Sequence, residues 1–154
     1  MFYKKFYITK AKEILRKGDS LDVLNWHEFE KLIAELLASD GWNVSPKRRT
    51  KDDGIDIVSI KEDKKLGFSK VVWQIKKYKK SNPVGINIIR ELYGSVSEHG
   101  ASKGVIVTSS RLTKGALELI RKHKYIMFGL DGSDVEGWIY EQGGEDDDGK
   151  DLPF

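Results

Sequence analysis

The sequence predicts an α/β fold in which a mixed β-sheet is flanked by helices on both faces. Two observations carry this prediction. Between Trp42 and Lys76, three strand-like segments follow one another across short turns, which is typical of an antiparallel meander. After Pro83, helical and strand-like segments alternate, which is typical of parallel strands connected by helices. The predicted order of elements is therefore αβββαβαβ.

The first helix of this core is predicted at Trp26 to Asp40. Asn25 suits its N-cap because the side chain can accept hydrogen bonds from the free N–H groups of the first turn, and Gly41 suits its end. Glu35 lies on the polar side of the helical wheel, where we expect it to be hydrated. The opposite side is one broad apolar stripe, made of Trp26, Phe29, Leu32, Ile33, Leu36 and Leu37.

Before this helix, residues 1–25 form a basic and mixed N-terminal arm, with a short helix predicted near Thr9 to Lys17. Three strands are predicted after it, at Trp42 to Ser45, Ile55 to Ile60 and Lys70 to Lys76. Turn residues separate these strands, so consecutive strands are expected to pair in antiparallel fashion.

The second half is predicted to begin with a helix between Pro83 and Gly100, where apolar residues recur at helical spacing. The run Gly104 to Thr108 is almost uninterruptedly apolar and suits a central parallel strand that is buried on both sides. A helix at Thr113 to His123, capped by Thr113, comes next. A last strand at Tyr125 to Phe128 and a short helix at Asp134 to Tyr140 complete the expected fold.

The composition is that of a single domain with its own core, since the 154 residues are 39% hydrophobic and include four Trp. Cysteine is absent, which excludes thiol chemistry and zinc–thiolate sites. The N-terminus does not resemble a signal peptide, and no apolar run approaches the roughly 20 residues that span a bilayer. We therefore expect a cytoplasmic protein without a membrane segment.

Charge is distributed unevenly along the chain. Residues 47–80 contain twelve Lys or Arg against five Asp or Glu, whereas residues 141–154 contain six acidic residues and one Lys. The acidic, Gly-rich stretch predicts a disordered tail. The basic stretch predicts a polyanion partner such as DNA, although for Tyr78 packing at the strand end is an equal alternative. The residues expected to contact DNA are Lys47, Arg48, Arg49, Lys51, Lys77, Tyr78, Lys79 and Lys80.

Polar groups of complementary chemistry lie on two neighbouring predicted strands. Asp56 is on the first of them, and Gln74 and Lys76 are on the next. Strand alternation puts Gln74 and Lys76 on one face and the apolar Val71, Trp73 and Ile75 on the other. A carboxylate and an amide oxygen suit a hard cation such as Mg²⁺, and a nearby ammonium suits a phosphoryl oxygen.

Glu30 is a fourth candidate, placed at the edge of the apolar stripe of the first core helix. A carboxylate pushed toward a core needs a partner, and a cation or a metal would be one. The alternative, which is favoured when Glu30 is taken alone, is a boundary glutamate whose stem lies over the core while its head reaches water.

Together, these four residues resemble the motif of the PD-(D/E)xK nuclease superfamily. The similarity is closer to the Mrr-like restriction endonuclease domain, in which the acidic position of the last motif is commonly Gln, and it covers roughly Trp26 to Tyr140. The matching segments are Trp26-His27-Glu28-Phe29-Glu30 with Leu36-Leu37, Gly54-Ile55-Asp56-Ile57, Gln74-Ile75-Lys76-Lys77-Tyr78, Gly104-Val105-Ile106-Val107-Thr108-Ser109-Ser110 and Leu130-Asp131-Gly132.

The resemblance implies a restriction-endonuclease-like nuclease domain at residues 26–140 and a Mg²⁺-dependent DNA endonuclease, with Mn²⁺ able to substitute, in restriction, defence or DNA processing. It implies that Asp56 is the central metal ligand, that Gln74 offers its side-chain oxygen to the same ion, and that Glu30 completes the site directly or through water. Lys76 would contact the scissile phosphate and the attacking water. The implied products carry 5′-phosphate and 3′-hydroxyl ends.

Several alternatives stay open. Asp52 or Asp53 could replace Asp56 as a ligand in another strand register, although solvated aspartates normally occupy turns. The neutral Gln74 favours one-ion chemistry over a two-ion site without fixing the number of ions. A branched-DNA resolvase or a repair nuclease would share this core. A catalytically inactive module would also share this core and would use the groove only to bind nucleic acid.

Target selection is expected to need further structure. Only about 25 residues precede the first core helix, where Mrr-like enzymes often carry a winged-helix module. A separate specificity subunit, a homodimer or a structural feature of the DNA would then supply selection.

Other polar residues are assigned lesser roles. The segment Thr108-Ser109-Ser110 follows a buried strand but lacks the pattern of a nucleophile elbow, so a structural role is expected. Arg90 and Glu91 open the helix after the site, and one of them is expected to line the groove.

Overall fold

The computed structural model describes residues 5–46 and 54–142. Its centre is one five-stranded sheet in which the strands lie in chain order. The first three strands pair in antiparallel fashion, and the third, fourth and fifth pair in parallel. This is the mixed sheet that the sequence predicts. The strands are β1 (Asn43–Pro46), β2 (Ile57–Asp63), β3 (Gly67–Lys76), β4 (Lys103–Thr108) and β5 (Met127–Leu130).

Helices cover both faces of this sheet, as predicted. The first, second and fifth helices share a hydrophobic core with one face, and the third and fourth share a second core with the other. No helix within the described ranges is both long and apolar enough to span a membrane. The helices are α1 (Phe6–Arg16), α2 (Trp26–Ser39), α3 (Ile86–Glu98), α4 (Lys114–Lys122) and α5 (Gly132–Glu141), with a short 3₁₀ turn at Leu21–Val23 before α2.

Strand β3 separates the two cores. Trp73 and Ile75 pack with α2 in the first core, whereas Val72 packs with α3 in the second. Every residue of β3 from Val71 to Ile75 is buried. The predicted alternation of side chains along this strand is therefore confirmed.

The helix caps that the sequence predicts for α2 and α4 are present in the structure. Asn25 accepts a hydrogen bond from the Glu28 N–H at 2.8 Å, and the Glu28 carboxylate accepts one from the Asn25 N–H at 3.0 Å. Gly41 follows α2 with a φ of +93°, a conformation that glycine adopts readily. Thr113 caps α4 through the Ala116 N–H. These local interactions explain why α2 and α4 lie where the sequence places them.

Several boundaries differ from the predictions, and three of these differences have a local cause. Strand β2 begins at Ile57 rather than Ile55, because the Asp56 side chain, and not a backbone carbonyl, accepts the N–H of Ile75. Strand β5 begins at Met127 rather than Tyr125, because a turn precedes it in which the His123 carbonyl accepts hydrogen bonds from the N–H groups of Ile126 and Met127. Helix α5 begins earlier than predicted, because the side chain preceding it, that of Asp131, caps it. The remaining predicted core elements differ by at most three residues.

The expectation that Glu35 is hydrated is wrong. Its side chain is only 7% exposed, because the first turn of α1 lies over it. The carboxylate accepts hydrogen bonds from the Tyr7 N–H at 2.8 and 3.0 Å and from the Ile8 N–H at 2.9 Å. Glu35 thus satisfies N–H groups at the start of α1, which have no partner within their own helix. The helix predicted near Thr9 to Lys17 is found as α1, in the first core.

We predict that Glu35→Ala lowers the free energy of unfolding by about 2 to 3 kcal/mol, because it removes a helix cap and leaves buried N–H groups without acceptors. Urea denaturation of the variant and the wild type measures this difference. Glu118→Ala, on the exposed surface of α4, is the matched control and should shift stability by less than about 0.5 kcal/mol. Equal losses for both variants would contradict the proposed cap.

We also predict a pH dependence for this contact. Burial raises the pKa of the Glu35 carboxyl, with the N–H donors of Tyr7, Ile8 and Phe6 opposing the shift. Its contribution to stability is therefore fully present below the unfolded pKa of about 4.3 and declines as pH rises through the higher folded value. Glu35→Gln cannot titrate, so the stability of the wild type relative to this variant should fall over that window. A rise would show that the N–H donors outweigh burial.

Candidate active site

One end of the sheet collects the polar residues that the sequence singles out. Pro46 at the end of β1 lies opposite Ile57 at the start of β2, and Lys76 at the end of β3 lies opposite Thr108 at the end of β4. Asp56 immediately precedes β2 and therefore belongs to the same end. In α/β sheets, sites commonly form outside the carboxyl ends of parallel strands.

Asp56 is held by strand β3 through two hydrogen bonds. Its N–H donates to the Trp73 carbonyl at 2.8 Å, and its Oδ2 accepts the Ile75 N–H at 2.7 Å. Trp73 and Ile75 flank Gln74 in the chain, so the carboxylate is fixed beside Gln74. A carboxylate has about four lone-pair positions, and the bond to Ile75 uses one of them.

Gln74 lies in the layer between β3 and α3, and its side chain is 1% exposed. Its Nε2 donates to Glu91 Oε1 at 3.0 Å. Among the described residues, its Oε1 has no hydrogen-bond partner. A buried oxygen left in this state costs about 1 to 3 kcal/mol. An oxygen-seeking cation such as Mg²⁺ would satisfy it.

Gly54 lies against this amide and has a φ of +76°. A Cβ at this position would come within 2.6 Å of Gln74 Nε2 and 3.3 Å of Glu91 Oε1. Both the backbone conformation and the lack of space therefore require glycine here. The expectation that Arg90 and Glu91 open this helix is wrong, because α3 begins at Ile86. Sequence reasoning placed Glu91 near the groove but did not identify its contact with Gln74.

Glu30 approaches the same end of the sheet from the α2 layer, whereas Gln74 belongs to the α3 layer. It is partly buried and lines a shallow pocket together with Pro46 and Ile57, the residue that follows Asp56. Within residues 5–46 and 54–142, no three His, Asp or Glu side chains form a metal-binding cluster. An ion at this edge would therefore need ligands besides these three residue types, and the amide oxygen of Gln74 is one that the described residues offer.

The basic residues divide into different environments. Lys76 is partly buried at the end of β3, and Lys77 donates to the Asp22 carbonyl at 3.0 Å. Tyr78 is partly buried against the second core, while Lys79 and Lys80 are exposed in the loop after β3. The remaining predicted contacts and alternative ligands lie outside the described residues: Lys47, Arg48, Arg49, Lys51, Asp52 and Asp53.

The segment Thr108-Ser109-Ser110 is buried and structural, as predicted. Ser109 Oγ donates to the Tyr78 carbonyl at 2.8 Å, and Ser110 Oγ donates to the Lys80 carbonyl at 3.3 Å. Thr108 Oγ1 accepts the Ser110 N–H at 3.0 Å. These bonds tie the loop after β3 to the end of β4, so the basic loop is anchored at this end of the sheet.

Comparison with known proteins identifies relatives. Residues 21–139 match the Mrr_cat family of restriction endonucleases. The uncharacterized protein y4cE of Sinorhizobium fredii (strain NBRC 101917 / NGR234) is 27% identical over 117 residues, which cover 74% of this chain and 30% of that protein.

Two solved restriction endonucleases share the fold at low sequence identity. The DNA modification-dependent enzyme AspBHI has a TM-score of 0.66 at 18% identity, covering 92% of this chain and 37% of that one. MspJI in complex with a 27-mer oligonucleotide has a TM-score of 0.54 at 18% identity, covering 86% and 30%. The chain thus spans less than two-fifths of each relative. Since the family model spans most of the chain and the sheet superposes on restriction enzymes, this chain belongs to the Mrr_cat restriction endonuclease family and has a restriction-endonuclease-like fold.

Proposed function

We propose that this chain is a divalent-cation-dependent DNA endonuclease that hydrolyses phosphodiester bonds, in restriction, defence or DNA processing. The observation that carries the proposal is the buried Gln74 Oε1, which has no hydrogen-bond partner among the described residues and lies beside the fixed carboxylate of Asp56. Membership of the restriction endonuclease family supports it.

Asp56 and Gln74 would hold the ion, and Glu30 would complete the site directly or through water. These are oxygen donors, which suit Mg²⁺ or Mn²⁺ and do not suit a thiophilic metal. When bound, the ion supplies Lewis acidity that makes water more acidic and stabilises negative charge on phosphate. The neutral amide of Gln74 contributes less charge than a carboxylate would, which favours a single ion.

Lys76 would act on the scissile phosphate. Strand alternation puts it on the same face of β3 as Gln74, and its ammonium would offset charge that grows on the phosphoryl oxygens during in-line attack. Such preorganised charge is effective because β3 is held on both edges by neighbouring strands.

DNA would lie across this end of the sheet. Lys79 and Lys80 are exposed there, Pro46 lines the Glu30 pocket, and Gly54 lies against Gln74. We propose that Lys47, Arg48, Arg49, Lys51, Lys77, Tyr78, Lys79 and Lys80 contact the DNA backbone. Contacts of this kind position DNA without reading its sequence.

Selection of a target is proposed to come from outside this domain. AspBHI is a DNA modification-dependent enzyme, and this chain spans 37% of it. A specificity subunit or a second copy of the chain would supply selection and the cutting of both strands.

We predict that Asp56→Asn and Lys76→Met each reduce cleavage by about 10²- to 10³-fold, the range seen when a charge-stabilising group is removed from an active site. The asparagine keeps an oxygen that can accept the Ile75 N–H, so folding should persist. Nicking of supercoiled plasmid and cleavage of branched and single-stranded DNA, with Mg²⁺, Mn²⁺ or EDTA, measure the effect. Melting temperatures verify folding.

Asp19→Asn and Lys64→Met change exposed residues of the same types and serve as controls. Both should retain wild-type cleavage. If the wild type binds DNA but cuts no substrate with any ion, the nuclease proposal fails, and a nucleic-acid-binding module takes its place.

We predict that Gly54→Ala abolishes metal-dependent cleavage, whereas Gly67→Ala does not. Both glycines have positive φ, at +76° and +82°, so both substitutions carry a strain of roughly 1 kcal/mol. Only the new methyl group at position 54 meets Gln74; at position 67 nothing lies within 4 Å. Plasmid nicking and melting temperature for both variants measure this contrast. Equal loss of cleavage would show that backbone strain alone is responsible.

A further inference from the structure

We infer that Glu91 is a positioning residue that fixes the orientation of the Gln74 amide, so that its oxygen rather than its nitrogen is presented to the divalent cation. The inference rests on the proposed function, in which Gln74 is a ligand of that cation. It adds a residue on α3 to a site otherwise proposed from α2, β3 and the start of β2.

A glutamine side chain has two amide orientations of nearly the same shape. In one the oxygen faces a given neighbour, and in the other the NH₂ group does. Metal binding needs the oxygen, because an amide NH₂ group does not bind Mg²⁺ or Mn²⁺. A site that uses Gln in place of a carboxylate therefore needs something that selects one orientation.

Glu91 supplies that selection. An ionised carboxylate can only accept hydrogen bonds, and Glu91 Oε1 lies 3.0 Å from Gln74 Nε2. Rotating the amide by half a turn would put Gln74 Oε1 against Glu91 Oε1, two acceptors without a proton between them. Glu91 is exposed, so its carboxylate could turn to solvent, but the rotated amide of Gln74, which is 1% exposed, would then have lost its hydrogen bond to Glu91.

The surroundings hold the Gln74 side chain and the backbone of α3 in place. Ile89 and Leu92, the near neighbours of Glu91 in α3, are fully buried in the second core, so the helix is fixed against the sheet. Gly54 closes the other side, since even a methyl group there would lie 2.6 Å from Gln74 Nε2. The Gln74 side chain therefore cannot move away without disturbing the core or the segment that leads into Asp56, whereas the exposed Glu91 side chain is held by its hydrogen bond to Gln74.

The hydrogen bond between Glu91 and Gln74 also predicts what a glutamate at position 74 would do. A carboxylate at that position would face the Glu91 carboxylate at hydrogen-bond distance, which is unfavourable. It would, however, present an oxygen in either orientation. Glu91 should therefore matter for ion binding when residue 74 is Gln and lose that role in the Gln74→Glu background.

A double-mutant cycle with Mn²⁺ as the probe tests this directly. The dissociation constant of Mn²⁺ is measured without DNA, by electron paramagnetic resonance of the free ion, for the wild type, Glu91→Gln, Gln74→Glu and the double variant. Asp56→Asn serves as the reference for loss of a ligand. Glu98→Gln, on the exposed end of α3, is the matched control.

The expected result is that Glu91→Gln weakens Mn²⁺ binding about twofold, because a glutamine at position 91 accepts both orientations of Gln74 and halves the competent population. In the Gln74→Glu background the same substitution should not weaken binding. Cleavage by Glu91→Gln should recover at higher Mn²⁺ concentration, and its melting temperature should stay near that of the wild type.

Three outcomes would overturn the inference. If Glu91→Gln weakens Mn²⁺ binding by the same factor in both backgrounds, Glu91 acts through charge alone. If it weakens binding as much as Asp56→Asn does, Glu91 is itself a ligand. If Asp56→Asn weakens binding and Glu91→Gln does not, Glu91 does not orient Gln74. A wild type that binds Mn²⁺ no better than Asp56→Asn would overturn the proposed function as well.

Discussion

The burial of β3 on both faces is the constraint on which the rest of the structure depends. Trp73 and Ile75 point into the core beneath α2, and Val72 points into the core beneath α3. Gln74 falls in the same row as Val72 and is therefore buried among apolar groups. A polar amide at this depth must have partners, and the described residues provide one for its nitrogen and none for its oxygen. The two hydrophobic cores offset the free-energy cost of leaving that oxygen unpaired.

The site is built on the sheet rather than on loops. Asp56 is joined to β3 by its backbone and by its side chain, so the position of its carboxylate follows from the pairing of β2 with β3. A slip of one residue in this pairing would send Gln74 and Lys76 to the α2 face. The alternating apolar residues of β3 fix the register, and in doing so they fix the positions of the polar groups.

Helix α1 is joined to helix α2 by a polar contact as well as by apolar packing. Residues 6–16 lie outside the segment that matches the family model, yet Ile8 and Ala11 are fully buried in the first core. Glu35 of α2 accepts the N–H groups at the start of α1, so a carboxylate takes the place that an N-cap side chain of α1 would occupy. The Lys5 that precedes α1 provides no side-chain cap.

The sequence by itself determined the order of the elements and the residue types that meet at the candidate site. Apolar periodicity and local capping residues located α2, β4 and α4, because these signals act within a few residues along the chain. Strand alternation separated Gln74 from Trp73. The exact ends of the elements were harder to predict from the sequence. Strand β2 starts late because the Asp56 side chain accepts the N–H of Ile75 in place of a backbone carbonyl, and no pattern within the strand indicates this.

Only the tertiary structure decided which groups meet. Considered on an isolated helix, Glu35 is expected to be hydrated. In the structure it is buried, because α1 packs over it. Glu91 reads as a helix residue near the site and is the partner of Gln74 because α3 lies on that face of β3. Gly54 is required because the amide of Gln74 occupies the space where a side chain would be. Each of these contacts joins residues far apart in sequence, and such contacts are fixed only when the layers pack, which a periodic pattern along one element does not specify.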